Sequence, residues 1–166
     1  MSAAVAVHPY PASLRARSVA VGIRLGERGL EAELARACRA VLLQPELHLL
    51  GNHLLENALA LVCGGAVSRG VEPELWWRVG CRLLEWQLPE QFLADGGHFE
   101  RSVSYHIELT LGLLQAVELA RQSRRSVPEP WLETLERALP WLAWLRAPGG
   151  QYPLFNDAAM DAAAGV

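Results

Sequence analysis

The chain has no lysine. All 15 of its basic residues are arginine, set against 18 acidic ones for a formal net charge of -3. The arginines are scattered from Arg15 to Arg146 and form no stripe that could neutralise phosphates, which argues against nucleic acid as a partner. Cysteine is nearly absent as well. Cys38, Cys63 and Cys81 make an odd set with no C-x-x-C spacing, each among apolar neighbours in a helical pattern, so buried free thiols are expected in place of disulfides or zinc ligands. No metal and no cofactor is expected. No run approaches the ~18 apolar residues that a spanning helix needs, so membrane insertion is not expected. The opening "MSAAVAVHPYPASLRAR" lacks a basic stretch followed by a long apolar one, so no signal peptide is expected in this chain and the compartment stays open. Runs of strict alternation rich in β-branched residues are missing too, which speaks against strands.

What remains is apolar and helical. The 166 residues are 51% hydrophobic, enough for one domain with its own core, residues 1–166 being read as a single unit. Apolar residues recur at three- and four-residue spacing almost everywhere, so the fold class is all-α. The spacing predicts helices over 13–25, stopping at Gly26, over 30–43, stopping before Pro45, and from Asn52 to around Gly70. A fourth follows Pro73, carries Trp76, Trp77, Val79, Leu83, Leu84 and Trp86, and should end or kink near Leu88 ahead of Pro89. After a loop at "ADGGHF" a fifth runs from about Ser104 to Arg121, and a sixth from Pro130 to Arg146 with a kink at Pro140, before "APGGQYPLFND" leaves regular structure. Short connections make sequential helices antiparallel hairpins. Hairpins can close a bundle, stack as a solenoid or form part of an α/α toroid, and periodicity alone does not choose.

Two polar constellations stand out. On the third helix Asn52, His53, Glu56 and Asn57 fall within roughly 140° of one another, opposite a leucine-rich side. A solvated helix face normally carries arginine and glutamate, whereas amides and an imidazole form directed hydrogen bonds. The plainer reading makes Asn52 an N-cap after Gly51 and His53 a satisfied histidine. The second constellation is "GGHFERSVSYH". Tyr105 and His106 begin the apolar stripe of Leu109, Leu113, Ala116, Val117 and Ala120, so both should face the protein. They sit in a first helical turn, where the macrodipole favours negative charge and makes a phenolate less costly. The plainer reading is a buried tyrosine whose hydroxyl finds a partner.

The order and spacing of "HPYPASLR", "GNHLLENALAL", "DGGHFERSVSYH" and "WL..LRAPGGQYPLFND" resemble the heparinase II/III-like polysaccharide lyases, in the part of their α/α toroid that precedes a β-sheet domain. The likeness spans His8 to Asp157. It departs at Ser18-Val19, where an Asn-Trp pair is expected, and the chain is expected to be a fragment that lacks the C-terminal β-sheet domain with its further histidine. The resemblance implies antiparallel hairpins forming an incomplete toroid. Six helices are fewer than a closed ring wants, so self-association through an exposed apolar flank is expected. It also implies an acidic polysaccharide or oligosaccharide as partner, glycosaminoglycan or alginate among the candidates. Members of the family are often periplasmic or secreted.

Such lyases cut uronic-acid polysaccharides by β-elimination. A base removes the C5 proton beside the carboxylate, and the bond from C4 to the leaving oxygen breaks. The enzyme must neutralise the carboxylate, place a base at C5 and protonate the departing oxygen. By resemblance Asn52 matches the carboxylate-neutralising asparagine, His53 an adjacent histidine found in part of the family, and Tyr105 the tyrosine that takes and returns the proton. His106, His98 and Arg101 are read as substrate contacts or supports, with a Glu100–Arg101 pair building the loop. Asn156 and Asp157 suit a turn. The six tryptophans are read as core. Two other readings compete: a catalytically silent carbohydrate-binding or scaffolding helical domain, and a glycoside hydrolase needing two carboxyl groups ~5–10 Å apart, with Asp95 and Glu100 the candidates.

Overall fold

The computed structural model describes residues 8–49, 51–146, 150–154, 156 and 158. Among them six helices follow one another: α1 (Pro9–Arg24), α2 (Glu31–Leu43), α3 (Asn52–Val67), α4 (Val71–Gln91), α5 (Val103–Gln122) and α6 (Glu129–Leu145). No strand forms among the described residues, only an isolated antiparallel bridge between Phe92 and His98. The chain is all-α, as the periodicity requires, and no helix is long and apolar enough to cross a membrane.

Each odd-numbered helix pairs with the even-numbered one that follows it, and the odd-numbered helices also pack on one another, α1 on α3 and α3 on α5. The result is two layers. Inner helices α1, α3 and α5 run the same way: at one end Tyr10 meets both Asn52 and Glu108, and at the other Arg24 donates to Gln122. These are the hairpins of an incomplete α/α toroid.

α3 is the axis of the domain. From Leu54 to Ala66 it is buried throughout, because α1, α2, α4 and α5 all pack on it, and a helix covered on every side must be apolar nearly all round. Leu55, Leu59 and Leu61 of α3 meet Leu34, Trp76, Leu84, Leu88, Leu109, Leu113 and Trp131 in one cluster. Glu56 and Asn57 are equally buried, so the polar face read on this helix is interior except at the partly exposed His53, and its buried groups must be satisfied by partners. Cys38 and Cys63 are buried and Cys81 half-buried, all as free thiols. Burial pushes each of the three up to about 12, so they pack as small apolar groups.

The helix boundaries depart from expectation mainly at prolines. α1 begins at Pro9, four residues before the expected Ser13, because proline at the first helical position lacks only an N–H that would have no partner there. α4 starts at Val71, with Pro73 in its first turn, and of the end or kink expected near Leu88 the end does not occur, since the helix continues through Pro89 to Gln91. There Pro89 removes one bond close to the C-terminus, where few remain to lose. α3 stops at Val67, short of Gly70. Trp76 and Trp131 fill the core as read, whereas Trp86 and Trp144 are exposed.

Candidate functional site

The parallel course of the inner helices brings three N-termini to one end of the domain, and with them the polar residues. Tyr10, in the first turn of α1, accepts a hydrogen bond from Asn52 Nδ2 at 3.3 Å and donates one to Glu108 Oε2 at 3.3 Å. Burial first, then the charges of Glu108 and Glu56, push the Tyr10 phenol above its ordinary value, so it stays protonated and serves as a donor. The His53 ring stacks on Tyr10 with centroids 4.2 Å apart and planes 26° from parallel. Tyr10, Asn52 and His53 thus form one unit at the entry to α3.

That entry is capped from a distance. Gly51 precedes α3 at φ +145°, and Asn52 is the first helical residue, not the cap. The cap is Glu100, whose Oε1 accepts from the Asn52 backbone N–H at 2.9 Å. A carboxylate there satisfies an unpaired N–H and meets the positive end of the helix dipole. The φ of Gly51 is one that other residues rarely adopt, and a Cβ there would lie 3.0 Å from the same Glu100 oxygen, so the position favours glycine. Glu100 is therefore engaged with α3 and forms no ion pair with Arg101 among the described residues. The exposed Arg101 holds a left-handed φ of +54°. Its turn is pinned by Asn156, whose Nδ2 donates to the carbonyls of Glu100 at 2.8 Å and Arg101 at 3.3 Å. Asn156 thus holds a turn distant in the chain, a structural role other than the local turn read for it. Asp157 lies outside the described residues.

Beneath the surface unit is a second tier. Glu46, in the α2–α3 connection and 8% exposed, accepts from Asn57 Nδ2 at 3.0 Å and lies 3.0 Å from His53 Nδ1. Asn57 also accepts from the Glu46 backbone N–H at 2.9 Å and donates to Ser13 Oγ at 3.0 Å. Deeper still, Arg17 Nη1 donates to both oxygens of Glu56, at 2.6 and 2.5 Å, while its Nη2 donates to Gln115. Burial acts to lower the Arg17 guanidinium, but the Glu56 carboxylate outweighs it and the net direction is up. Such a pair is costly to break, because removing one partner strands the other charge.

Tyr105 lies half-buried in the first turn of α5. Its backbone N–H bonds Ser102 Oγ, the helix cap, at 3.4 Å, and Glu100 stands five residues earlier, so the α5 entry and the α3 entry share one loop. His98 and His106 are placed differently. They are 1% and 0% exposed, so neither ring reaches a sugar in this arrangement, and the expectation of substrate contact gives way to a supporting role. His106 Nδ1 accepts from the His98 backbone N–H at 3.1 Å, Nε2 lies 3.1 Å from the Ala138 carbonyl, and the Trp141 ring lies 4.4 Å away, tilted by 39°. A carbonyl only accepts, so the ring is neutral with its proton on Nε2. His98 Nε2 bonds Gln91 Oε1 at 3.0 Å, and Gln91 Nε2 donates to the Gly51 carbonyl at 3.0 Å. The buried histidines thereby brace the entry to α3.

Sequence reasoning singled out Asn52, His53 and Tyr105 as candidates but passed over Tyr10, Glu46 and Glu108, which bond or pack at the same end. "HPYP" reads as a rigid lead-in, yet Pro9 at the first helical position was the signal that Tyr10 belongs to a helix. Glu46 sits in a short connection with no periodicity, so no local signal marks it.

The Heparinase II/III N-terminus family model matches residues 35–166. A heparin-sulfate lyase of Bacteroides thetaiotaomicron is 28% identical over 117 residues, covering 64% of this chain and 17% of the relative. That of Pedobacter heparinus is 27% identical over 110 residues, with 64% and 17% covered. The crystal structure of heparinase III superposes with a TM-score of 0.77 at 22% identity, over 91% of this chain and 26% of that one. The chain thus spans about a sixth of the length of the curated relatives it matches.

Proposed function

The chain belongs to the heparinase II/III family, and from that premise we propose that its polar end serves the β-elimination of a uronic-acid-containing polysaccharide of the heparin class. Its residues form a helical domain related to the N-terminal part of polysaccharide lyases. Asn52 and His53 would neutralise the uronate carboxylate, the amide through its second N–H and the imidazole, neutral at rest, once it takes a proton at Nε2. Tyr105 would take the C5 proton. As the electrons of that bond form the C4–C5 double bond, the bond from C4 to the leaving oxygen breaks, and the same hydroxyl returns the proton to it. Arg101, exposed beside this end, would contact a further acidic group, while His98 and His106 hold the loop.

The observation that carries the reading is the 2.9 Å bond between the Asn52 backbone and Glu100, which ties the helix entry bearing Asn52 and His53 to the loop that leads into Tyr105. Tyr10 and the partly exposed His53 offer directed donors and acceptors beside the buried Asn52 amide, in place of the flexible charges of an ordinary helix end.

A second reading, a silent carbohydrate-binding domain, is favoured by one observation: Asn52 is only 5% exposed and its amide is bonded to Tyr10, which leaves it little room to rearrange. One assay separates the two. With a heparin-class glycosaminoglycan, the lyase reading expects growth of the ultraviolet absorbance of an unsaturated product, reduced about a hundredfold or more in Tyr105→Phe. A flat trace from a chain that still binds the polymer favours the silent module.

A further inference from the structure

The bonds around Glu46 decide which nitrogen of His53 carries the proton. A backbone N–H can only donate, so the Glu46 N–H at 2.9 Å fixes the Asn57 oxygen as its acceptor. The Asn57 nitrogen must then point the other way, toward Glu46 Oε2 and Ser13 Oγ, each at 3.0 Å. Nδ2 can only donate, so Glu46 Oε2 accepts. The remaining oxygen, Oε1, faces His53 Nδ1 at 3.0 Å, and a carboxylate accepts there too. His53 therefore holds its proton on Nδ1. The ring is kept in place by its stack on Tyr10, and Nε2 has no hydrogen bond among the described residues. Its side chain is 36% exposed, against 10% for that of Glu46.

We propose that Glu46 is a positioning residue that locks His53 in the Nδ1–H form, so that the neutral ring presents a lone pair at Nε2. This rests on the reading that His53 serves the uronate, and it sharpens the part His53 plays. A neutral His53 can accept a hydrogen bond or a proton at Nε2 but cannot donate there, so it pairs with a carboxylate only as the doubly protonated cation. Asn57 and Ser13 act one step further back, through Glu46. The role of the imidazole is thus set by a chain that starts at a single backbone N–H.

Glu46→Gln tests this in a way that a merely structural role would not reproduce. The new amide must turn its oxygen to Asn57 Nδ2, which leaves its NH2 facing His53 Nδ1. That nitrogen must then accept, and the proton moves to Nε2. In long-range proton–nitrogen NMR spectra of the histidine-labelled chain, with His53 assigned by its loss in His53→Asn, the expected result is Nδ1–H in the wild type and Nε2–H in Glu46→Gln. Nε2–H in the wild type, or an unchanged form in Glu46→Gln, overturns the proposal. Should Glu46→Gln fail to fold, the wild-type spectrum decides alone. If the wild type produces unsaturated sugar, Glu46→Gln should lower kcat about tenfold with KM changed less than about twofold, and an unaltered kcat also overturns the proposal. A flat absorbance trace together with the expected exchange of forms defeats the lyase reading while leaving the hold of Glu46 on His53 intact.

Discussion

His53 at the entry to α3 keeps about a third of its side chain in solvent, at 36% exposure, with a carboxylate on one nitrogen and nothing described on the other. His98 and His106, set between the 92–98 loop and α6, are 1% and 0% exposed and bonded to Gln91 and the Ala138 carbonyl. Both regions use the chemically versatile residues that are scarce elsewhere in the chain, and both are bound by directed hydrogen bonds. They differ in what is left over. At His106 both nitrogens are spent on holding a loop to a helix, so the ring has nothing to offer a ligand. At His53 one nitrogen is spent on orientation and the other remains for use. An imidazole beside a glycine-rich loop is thus no sign of chemistry until its two nitrogens have been accounted for.

The loop that the buried histidines hold should be the most fragile part of the comparison. Gly96 has φ +90°, and a Cβ there would lie 2.2 Å from the Arg137 carbonyl oxygen of α6, a backbone atom that cannot swing aside. Gly96→Ala combines an unfavourable φ with a backbone clash and should cost about 4 kcal/mol, read as a lower urea midpoint. A loss below about 1 kcal/mol would mean that the loop is not pressed against α6.

Acid should reach the same region next. Burial first, and the neighbouring His106 second, lower His98 from 6.5 to about 4, and burial lowers His106 in the same direction. The folded state therefore resists a proton that the unfolded chain accepts. Stability from His98 is complete above about 6.5 and is lost as the pH falls toward about 4, by up to about 3 kcal/mol. Unfolding midpoints measured across this window should fall steeply in the wild type and more gently in His98→Gln, and equal slopes would remove His98 from the argument.

Much of this was legible in the sequence, for a physical reason. The three- and four-residue spacing of leucine and alanine records burial of one face or more, so helix number and order could be read, with α2, α5 and α6 placed to within a residue or two at each end. The proline errors arose because proline forbids a helix interior but suits its first turn, and sequence alone does not say which applies at Pro9 or Pro73. Asn52 and His53 stood out as amide and imidazole on a helix whose other side is leucine. Yet all of that polar face but His53 is interior, and no local pattern says that Glu56 meets Arg17 or that Asn57 meets Glu46. Those partners lie 39 and 11 residues away; the layering of α1 on α3 brings Arg17 to Glu56, and the fold-back of the α2–α3 connection brings Glu46 to Asn57. Tyr10 was missed for the same reason, since its role depends on three helix entries converging.

The smallest expected effect on stability is also the sharpest test of the contrast. Asparagine places its Nδ2 near the position of the histidine Nδ1, so His53→Asn keeps a donor for Glu46 Oε1 and avoids leaving a buried acceptor unmet. What it loses is the stack on Tyr10 and Nε2 itself. The unfolding free energy should change by no more than about 1 kcal/mol, because the lost ring is partly solvated. The same substitution at His106 cannot span from the His98 N–H to the Ala138 carbonyl and should cost about 3 kcal/mol. Affinity for a heparin-class oligosaccharide should move the opposite way, falling about tenfold in His53→Asn and little in whatever fraction of His106→Asn remains folded, as titration calorimetry would measure. If His53→Asn proved as destabilising as His106→Asn, both histidines would be structural. If it were stable and bound sugar as well as the wild type, the open nitrogen at the entry to α3 would have no part in recognition.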